Sequence, residues 1–394
     1  NQPSYLAGFN KVLAATDLDT LKAYFEWHLL RSYASYLSKN FVDENFAFYG
    51  TVLSGVTENQ PRWKRGVGSV EAVLGEAVGK LYVAQYFPAE RKAHMQELVK
   101  NVLAAYKESI DTLDWMSPET KKEAQAKLAK FTPKIAYPNV WRDYSKLQIV
   151  QGDLVGNMMR AANFNSARQV AKLGKPINRE EWGMTPQTVN AYYSSTMNEI
   201  VFPASILQPP FFDANADDAV NYGAIGAVIG HEISHGFDDK GSQSDGDGNL
   251  RDWWTPADRK NFAAKADALT KQYDGYSPLP GYNVNGALTL GENIADNSGV
   301  AIAYKAYKIS LGGKPAPVLD GLTGDQRFYM GFGQVWRSKM REAQQIVQIK
   351  TDPHSPGQYR ANGTMVNQPA FYEAFGVKPG DKMYVAPENR VIIW

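Results

Sequence analysis

The feature that most constrains this chain is a pair of histidines four residues apart, with a glutamate beside the first. His231 and His235 enclose Glu232 in the pattern H-E-x-x-H. On a helix both imidazoles would lie on one face, and the glutamate would lie about 100° around the same turn. A catalytic zinc site uses three protein ligands, of which neutral imidazole is one kind, and leaves the fourth position to water. The pattern therefore predicts two metal ligands with a base next to them.

A less specific interpretation is that the two histidines only cap a buried helix or form hydrogen bonds within the core, and that the glutamate is solvated. Two observations favour the metal site. The chain has only five histidines, so this spacing is not what random placement gives. The preceding run, residues 219–230, is nearly all small or apolar, which predicts a buried helix. Buried polar groups need partners other than water, and a metal ion provides one.

The third ligand has to come from elsewhere, and the segment 289–297 offers it. Glu292 and Asp296 are four residues apart and share a helical face. The alternative is a capping box of Thr289 and Glu292, in which the glutamate serves only the start of its own helix. We favour coordination, because two histidines still require a third donor and the helix continues with apolar residues. Asp296 is then expected to orient a ligand histidine or a catalytic histidine.

Two β-prone runs lie between residues 188 and 203, joined by a turn at residues 196–198. The plain interpretation is a surface hairpin. Because the runs shortly precede the histidine helix, an exposed strand edge beside a metal could also align an extended peptide through main-chain hydrogen bonds. On that hypothesis, Asn190 and Ala191 hold the substrate.

One further histidine near the end of the chain is a candidate catalytic group. His354 lies in a run with several turn-forming residues and few apolar ones, which predicts a loop. A loop histidine next to a bound peptide could donate to a developing oxyanion. The residues alone leave this role and a structural role equally open.

Composition excludes several other classes of function. The net charge is +1 with both signs interspersed, so no basic surface indicates a nucleic-acid partner or an anionic membrane. The chain has no cysteine, which excludes disulfides, thiolate metal sites and a cysteine nucleophile. No apolar run is long enough to span a membrane and the first residues lack a signal segment, so we expect a soluble, mature or truncated chain.

The spacing of apolar residues predicts helices from residue 4 to about residue 130. Ser117, followed by proline, is typical of a helix start. Proline and glycine pairs interrupt the pattern after residue 131. We expect two lobes: a helical lobe with linker segments in residues 1–145, and a catalytic lobe in residues 146–394.

Together, five motifs resemble the neprilysin family of zinc endopeptidases, in that family's order and spacing. They are Asn190-Ala-Tyr-Tyr, Val201-Phe-Pro-Ala-Ser-Ile-Leu-Gln-Pro-Pro-Phe-Phe, Val228-Ile-Gly-His-Glu-Ile-Ser-His-Gly-Phe-Asp-Asp, Gly291-Glu-Asn-Ile-Ala-Asp-Asn and His354-Ser-Pro-Gly-Gln-Tyr-Arg. The resemblance implies a mainly α fold with a small β-sheet. It also implies a thermolysin-like (gluzincin) catalytic lobe that faces a second helical lobe across a cavity for short peptides.

The resemblance implies roles for individual residues as well. It makes His231, His235 and Glu292 the ligands of one zinc ion, with Glu232 as the catalytic base. His354 would stabilise the transition state, with Asp296, an acid behind the metal ligands, as its orienting partner. The implied substrate contacts are Asn190 and Ala191 for the peptide backbone, Arg360 for a substrate carbonyl, and Ile206, Phe211, Val228 and Trp336 for the side chain after the cleaved bond.

These inferences predict a zinc-dependent metalloendopeptidase that hydrolyses short peptides and prefers a large apolar residue after the cleaved bond. One alternative is an aminopeptidase of the same metal class. It would need an acidic cluster for a free α-amino group, and no such motif precedes His231. Another is a metal-stabilised binding module without turnover, but a structural site is normally closed by four ligands and needs no base such as Glu232.

Two features differ from the family pattern. Family members are usually far longer, so we expect that this chain begins midway. Two alternatives stay open: it is one piece of a nicked enzyme, with the missing N-terminal portion as a separate chain, or it is part of a longer chain. The family usually ends in Cys-x-x-Trp, whereas this chain ends in Val391-Ile-Ile-Trp after Arg390. This ending fits a bacterial, cysteine-free member and puts recognition of a substrate carboxylate in question. We expect a periplasmic or secreted location, with the cytoplasm as the alternative.

Overall fold

The computed structural model describes residues 2–394, without the side chains of residues 89 and 90. Most of this range is helical, and three strands form one sheet. The helices are α1 Pro3–Ala15, α2 Leu18–Tyr33, α3 Lys39–Phe46, α4 Arg62–Tyr86, α5 Ala89–Thr112, α6 Pro118–Leu128, α7 Leu154–Val170, α8 Asp218–Asn221, α9 Ala227–Ser234, α10 Pro256–Asp274, α11 Leu290–Ser310, α12 Gly324–Val335, α13 Glu342–Thr351, α14 Gly357–Met365 and α15 Pro369–Phe375. The strands are β1 Thr132–Ala136, β2 Tyr192–Ser194 and β3 Glu199–Pro203. Across the described residues, no helix combines the length and the apolar character that crossing a membrane requires.

Contacts divide the chain into two compact units. The first consists of Asn1–Val73 and Asp143–Pro176, and the second of Leu74–Arg142 and Ile177–Trp394. This division differs from the single boundary expected after residue 145. The reason is that β1 pairs with β3 and α5 packs against α11, so that elements from before the expected boundary belong to the second unit.

The first unit contains the predicted N-terminal helices. Helix α2 begins at an N-cap, Asp17, whose side chain accepts a hydrogen bond from the backbone N–H of Thr20. Neither α1 nor α2 has a buried residue. Apolar side chains such as Phe9, Phe25 and Trp27 are therefore exposed in this unit.

The sheet of the second unit has the strand order β1-β3-β2. Strands β2 and β3 form the predicted antiparallel hairpin, in which Tyr192 lies opposite Val201. Strand β1 runs parallel to β3 with Thr132 opposite Glu199, and the sequence analysis missed it because Pro133 suggested a break. A proline is tolerated here because β1 is an edge strand, where a missing N–H interrupts no central ladder.

The histidine helix α9 packs closely against α11. A Cβ atom on Gly230 would lie 2.5 Å from the carbonyl oxygen of Gly299, so only glycine permits this approach. The helical run predicted from residue 219 contains a π-helical segment, Tyr222–Gly226, between α8 and α9. The close crossing brings the start of α11, with Glu292, towards the two histidines.

Candidate metal centre and active site

Helix α9 presents the two histidines on one face, as their spacing predicts. His231 lies in the last turn, and His235 follows directly with helical dihedrals of φ −59° and ψ −22°. Their Nε2 atoms are 2.9 Å apart. Every residue of α9 is buried. The two imidazoles therefore meet at one point, on the wall of a cavity.

Glu292 reaches the same point from the first turn of α11. Its Oε2 atom lies 3.2 Å from Nε2 of His231 and 3.6 Å from Nε2 of His235. Thr289 makes no side-chain cap at the start of α11, and its hydroxyl donates to the carbonyl of Asn285 at 3.0 Å. The capping box is therefore not formed, and Glu292 faces the histidines.

A carboxylate lies behind each imidazole. Nδ1 of His231 donates to Oδ1 of Asp296 at 2.8 Å, and Nδ1 of His235 donates to Oδ2 of Asp238 at 2.7 Å. In the neutral form that binds a metal, these bonds keep the proton of each imidazole on Nδ1, so each Nε2 presents a lone pair. The sequence predicted Asp296 behind a histidine, whereas Asp238 was not predicted to have a role. The sequence feature that could have indicated Asp238 is its position three residues after His235, about one helical turn away.

The atoms that converge here suit a cation. Nε2 of His231, Nε2 of His235 and a carboxylate oxygen of Glu292 lie within 4.8 Å of one another, and all three are acceptors. Oε2 of Glu292 is buried without a hydrogen-bond partner. Burial alone would raise the pKa of Glu292, but without a metal the hydrogen bonds and positive charge of protonated His231 and His235 hold it well below its usual range, and a bound cation would take the place of those protons. Two imidazoles and one carboxylate form the donor set of a catalytic zinc site, so the residues fit zinc.

Arg360, on α14, holds Asp296 from another side. Its Nε and Nη2 donate to the two oxygens of Asp296, each at 2.7 Å, and its guanidinium lies 3.7 Å from the centre of the Trp336 ring. Burial alone would raise the pKa of Asp296, but Arg360 and His231 outweigh it and lower that pKa. Asp296 is thus an ionised carboxylate shared by two partners. Arg360 also lines the cavity, and its contact with a substrate carbonyl stays a prediction.

Glu232 lies on the cavity wall beside the metal-binding group. It is buried, and desolvation raises the pKa of its carboxyl group, while the neighbouring histidines oppose that shift. A carboxyl group with a raised pKa is suited to accept a proton and to return it.

His354 lies between α13 and α14, as predicted, but its partner differs from the prediction. Its Nδ1 donates to Oδ1 of Asp352 at 2.7 Å, and the same oxygen accepts the backbone N–H of His354 at 2.9 Å. The prediction that Asp296 orients His354 is therefore wrong, because both Asp296 oxygens are already engaged and a residue two positions away forms a local turn instead. Nε2 of His354 lies 3.2 Å from Oε2 of Glu292, so the ring faces the metal-binding group.

The cavity at this group has a volume of about 960 Å³. Its walls include all the predicted substrate-contact residues, namely Asn190, Ala191, Ile206, Phe211, Val228, Trp336 and Arg360. Asn190 is exposed and Ala191 is buried, and both directly precede the edge strand β2. Oδ1 of Asn190 accepts the backbone N–H of Ala191 at 2.9 Å. A peptide that pairs with this N–H would have to displace the Asn190 side chain.

Two family models match the chain, both described as peptidase family M13. One covers residues 190–391, and the other, for the N-terminal part of the family, covers residues 1–138. The second match lies within this chain, so the comparisons give no support to the prediction that the N-terminal portion is a separate chain.

Similar proteins and structures agree with these matches. Human endothelin-converting enzyme 1 is 39% identical over 401 residues, which are 99% of this chain and 52% of that protein. Human neprilysin is 37% identical over 406 residues, which are 100% of this chain and 54% of that protein. The chain thus spans about half the length of these relatives.

Two solved structures resemble the fold. The zinc metalloprotease Zmp1 of Mycobacterium tuberculosis, in complex with an inhibitor, has a TM-score of 0.96 and 53% identity, over 100% of this chain and 60% of that chain. PepO of Lactobacillus rhamnosis has a TM-score of 0.85 and 36% identity, over 92% of this chain and 56% of that chain. They confirm the mainly helical gluzincin fold with its small sheet. With matches to both family models and these relatives, the chain belongs to peptidase family M13, the neprilysin family.

Proposed function

We propose that this protein is a zinc-dependent metalloendopeptidase that cleaves short peptides. The observation that carries the proposal is the convergence of His231, His235 and Glu292 on one point, with Glu232 beside them in the same cavity. Bound zinc would supply Lewis-acid chemistry that polarises the scissile carbonyl and makes water a better nucleophile. Within the described residues the group has three potential ligands, which matches a catalytic zinc site rather than a closed structural one.

The proposed base is Glu232. Its carboxylate takes a proton from the attacking water and later gives it to the leaving amine, so one group serves both steps. Its position beside the ligands supports this role. Burial supports it too, because a raised pKa favours the protonated form that has to persist between the two steps.

We assign oxyanion stabilisation to His354. Asp352 accepts from Nδ1 and so holds the ring with Nε2 turned towards Glu292. With Nδ1 already donating to Asp352, Nε2 also donates when the ring is an imidazolium. A donor aimed at charge that develops during the reaction stabilises mainly the transition state. Arg360 is assigned a contact with a substrate carbonyl, because it lines the same cavity.

The proposed substrate lies extended along Asn190 and Ala191, beside the edge strand β2. Backbone pairing of this kind is tolerant of sequence, so side-chain preference has to come from a pocket. The side chains assigned to that pocket are apolar or aromatic: Ile206, Phe211, Val228 and Trp336. Burying a large apolar side chain there would contribute about 1.5–3 kcal/mol, which supports a preference for such a residue after the cleaved bond.

A fluorogenic peptide blocked at both ends, with Leu after the intended bond, tests the proposed activity. The zinc-loaded protein should cleave it, whereas an aminopeptidase needs a free α-amino group. A matched peptide with Ser in that position should be cleaved about 10-fold more slowly, as kcat/KM. Cleavage only of peptides with a free N-terminus would favour the aminopeptidase, and no cleavage at all would favour a non-catalytic binding module.

Two variants test the assigned roles. Glu232→Gln should retain zinc and lower kcat about 10³-fold, because proton transfer is lost. Glu292→Gln should lower zinc content as well as activity. Metal analysis and steady-state kinetics measure both effects, with Glu342→Gln, at an exposed position in α13, as the control. Turnover of Glu232→Gln near the wild-type rate would contradict the mechanism.

The predicted bacterial periplasmic or secreted location is part of the proposal. A chain without cysteine does not depend on disulfide formation in either compartment, and peptide substrates are available in both. Cell fractionation tests the location, and protein found only in the cytoplasm would contradict it.

A further inference from the structure

A buried lysine lies beneath the segment that follows the two histidines. Lys127, in the last turn of α6, is 2% exposed. Its Nζ donates to the backbone carbonyls of Gly236, Gly241 and Ser244, at 2.6, 2.7 and 2.8 Å. An ammonium group has three N–H donors, so these carbonyls use its full donor capacity. We call residues 236–244 the metal loop.

The metal loop carries the carboxylate that orients His235. Oδ2 of Asp238 accepts from Nδ1 of His235 at 2.7 Å, and its Oδ1 accepts the backbone N–H groups of Lys240 and Gly241 at 2.8 and 2.7 Å. Gly241 is thus held twice, through its N–H by Asp238 and through its carbonyl by Lys127. A continuous chain of hydrogen bonds leads from Lys127 through Gly241 and Asp238 to His235.

Lys127 also contacts the hairpin on which the proposed substrate edge lies. Its backbone carbonyl accepts from Nδ2 of Asn198, in the turn between β2 and β3, at 3.1 Å. Oδ1 of Asn198 accepts the hydroxyl proton of Tyr193, in β2, at 3.1 Å. The Nζ atom lies 5.9 Å from the centre of the Tyr193 ring. The hairpin contacts use mainly the backbone, so a side-chain substitution at Lys127 acts chiefly on the metal loop.

The burial of this ammonium group is unfavourable by itself. Burial lowers the pKa of Lys127 to about 7, and the charges of Asp238 and Asp245 oppose the shift. A methionine or leucine would fill the same space without this desolvation. What an apolar side chain does not provide is the three donors that fix the loop.

Resting on the proposed zinc peptidase function, we propose that Lys127 is a positioning residue that holds the metal loop so that Asp238 keeps His235 oriented for zinc. It does not touch the substrate. It acts through Asp238, and its removal therefore lowers zinc affinity before it affects peptide binding.

Lys127→Met tests the proposal, and Lys130→Met is the matched control. Lys130 is a nearby exposed lysine, which pairs with Asp247 at 2.7 Å outside the metal loop. In competition with a chelator, Lys127→Met should weaken zinc binding about 10-fold, as is typical when a group behind a metal ligand is lost. At saturating zinc, kcat on the blocked peptide should fall with KM nearly constant. Lys130→Met should change neither quantity, and a Lys127→Met protein with wild-type zinc affinity overturns the proposal.

A double-mutant cycle separates positioning from general stabilisation. If Lys127 acts through Asp238, Lys127→Met combined with Asp238→Asn should bind zinc as weakly as Asp238→Asn alone, and fully additive losses overturn the proposal. If Lys127→Met does not fold, Lys127→Gln takes its place, and amide hydrogen exchange at Lys240 and Gly241 should be faster in it. Unchanged exchange and unchanged zinc affinity in that variant also overturn the proposal. Zinc affinity and amide exchange need no turnover, so a zinc-loaded protein that cleaves no peptide would overturn the proposed function without touching these results.

Discussion

The two sides of the metal-binding group hold their histidines by different means. On the helix side, His231 lies in α9, and its partner Asp296 lies in α11, where Arg360 holds both carboxylate oxygens. On the loop side, His235 directly follows α9, and its partner Asp238 lies in the metal loop, whose carbonyls accept hydrogen bonds from Lys127. The helix side is oriented by regular backbone and a bidentate ion pair. The loop side depends on hydrogen bonds from Lys127 and Asp238 to a segment of turns with one short 3₁₀ helix, Gly241–Gln243.

His354 extends this comparison to a third histidine. The carboxylates behind His231, His235 and His354 have side-chain exposures of 2%, 5% and 42%. A hydrogen bond to a charged group is stronger and more costly to lose when water cannot replace it. We therefore expect the effects of replacing these carboxylates to follow the order Asp296, Asp238 and Asp352.

The largest effect is expected for Asp296→Asn. The amide cannot accept from both His231 and Arg360 with its former geometry, and the buried guanidinium loses its hydrogen-bonded carboxylate, with only the more distant Glu292, at 4.0 Å, left as an ion-pair partner. Loss of such a partner destabilises a protein by about 3–5 kcal/mol, and we expect kcat/KM to fall at least about 100-fold. Thermal unfolding, zinc titration and kinetics measure these effects. A stable Asp296→Asn variant with wild-type zinc affinity would show that the helix side does not orient its histidine more strongly than the loop side.

A smaller effect is expected for Asp238→Asn. The amide oxygen can still accept from Lys240 and Gly241, so the metal loop should stay folded. The amide nitrogen, however, opposes Nδ1–H of His235 and favours the tautomer in which Nε2 carries the proton, which excludes metal binding through that atom. Zinc affinity should fall about 10-fold with little change in unfolding temperature. A larger loss of zinc affinity than in Asp296→Asn would reverse the comparison.

The smallest effect is expected for Asp352→Asn. Asp352 and His354 are both partly exposed, and exposed pairs contribute about 1 kcal/mol or less. Because His354 acts in the proposed transition state, kcat should fall about fivefold or less, while zinc affinity and KM stay constant. Kinetics on the blocked peptide and chelator competition check this. A change in zinc affinity would place Asp352 with the carboxylates behind the metal ligands.

The sequence predicted those parts of the site that lie within one or two helical turns. The positions of His231 and His235 follow from a four-residue spacing in an apolar helix, and the hairpin follows from two β-prone runs around a turn. For Glu292 the sequence allowed two interpretations, since a capping box and a metal ligand use the same residue type at the same position. The hydroxyl of Thr289, bound to Asn285, decided against the cap.

Long-range pairing was not predictable in this way. Strand β1 was missed because its partner β3 is distant in the chain, and a parallel pair leaves no turn signal between its strands. Lys127 is one of several lysines in α6, and no local pattern shows that three distant carbonyls surround it.

By itself, the sequence determined the helical character of the chain, the histidine pair with its glutamate, and the family, because these depend on residue type and short spacing. Only the tertiary structure decided three hydrogen-bond partners. Asp352 rather than Asp296 accepts from His354, Asp238 accepts from His235, and Lys127 donates to the carbonyls of the metal loop. Which carboxylate or ammonium group meets which partner depends on how α6, α9, α11 and α14 pack. That packing arises from contacts between residues far apart in the chain.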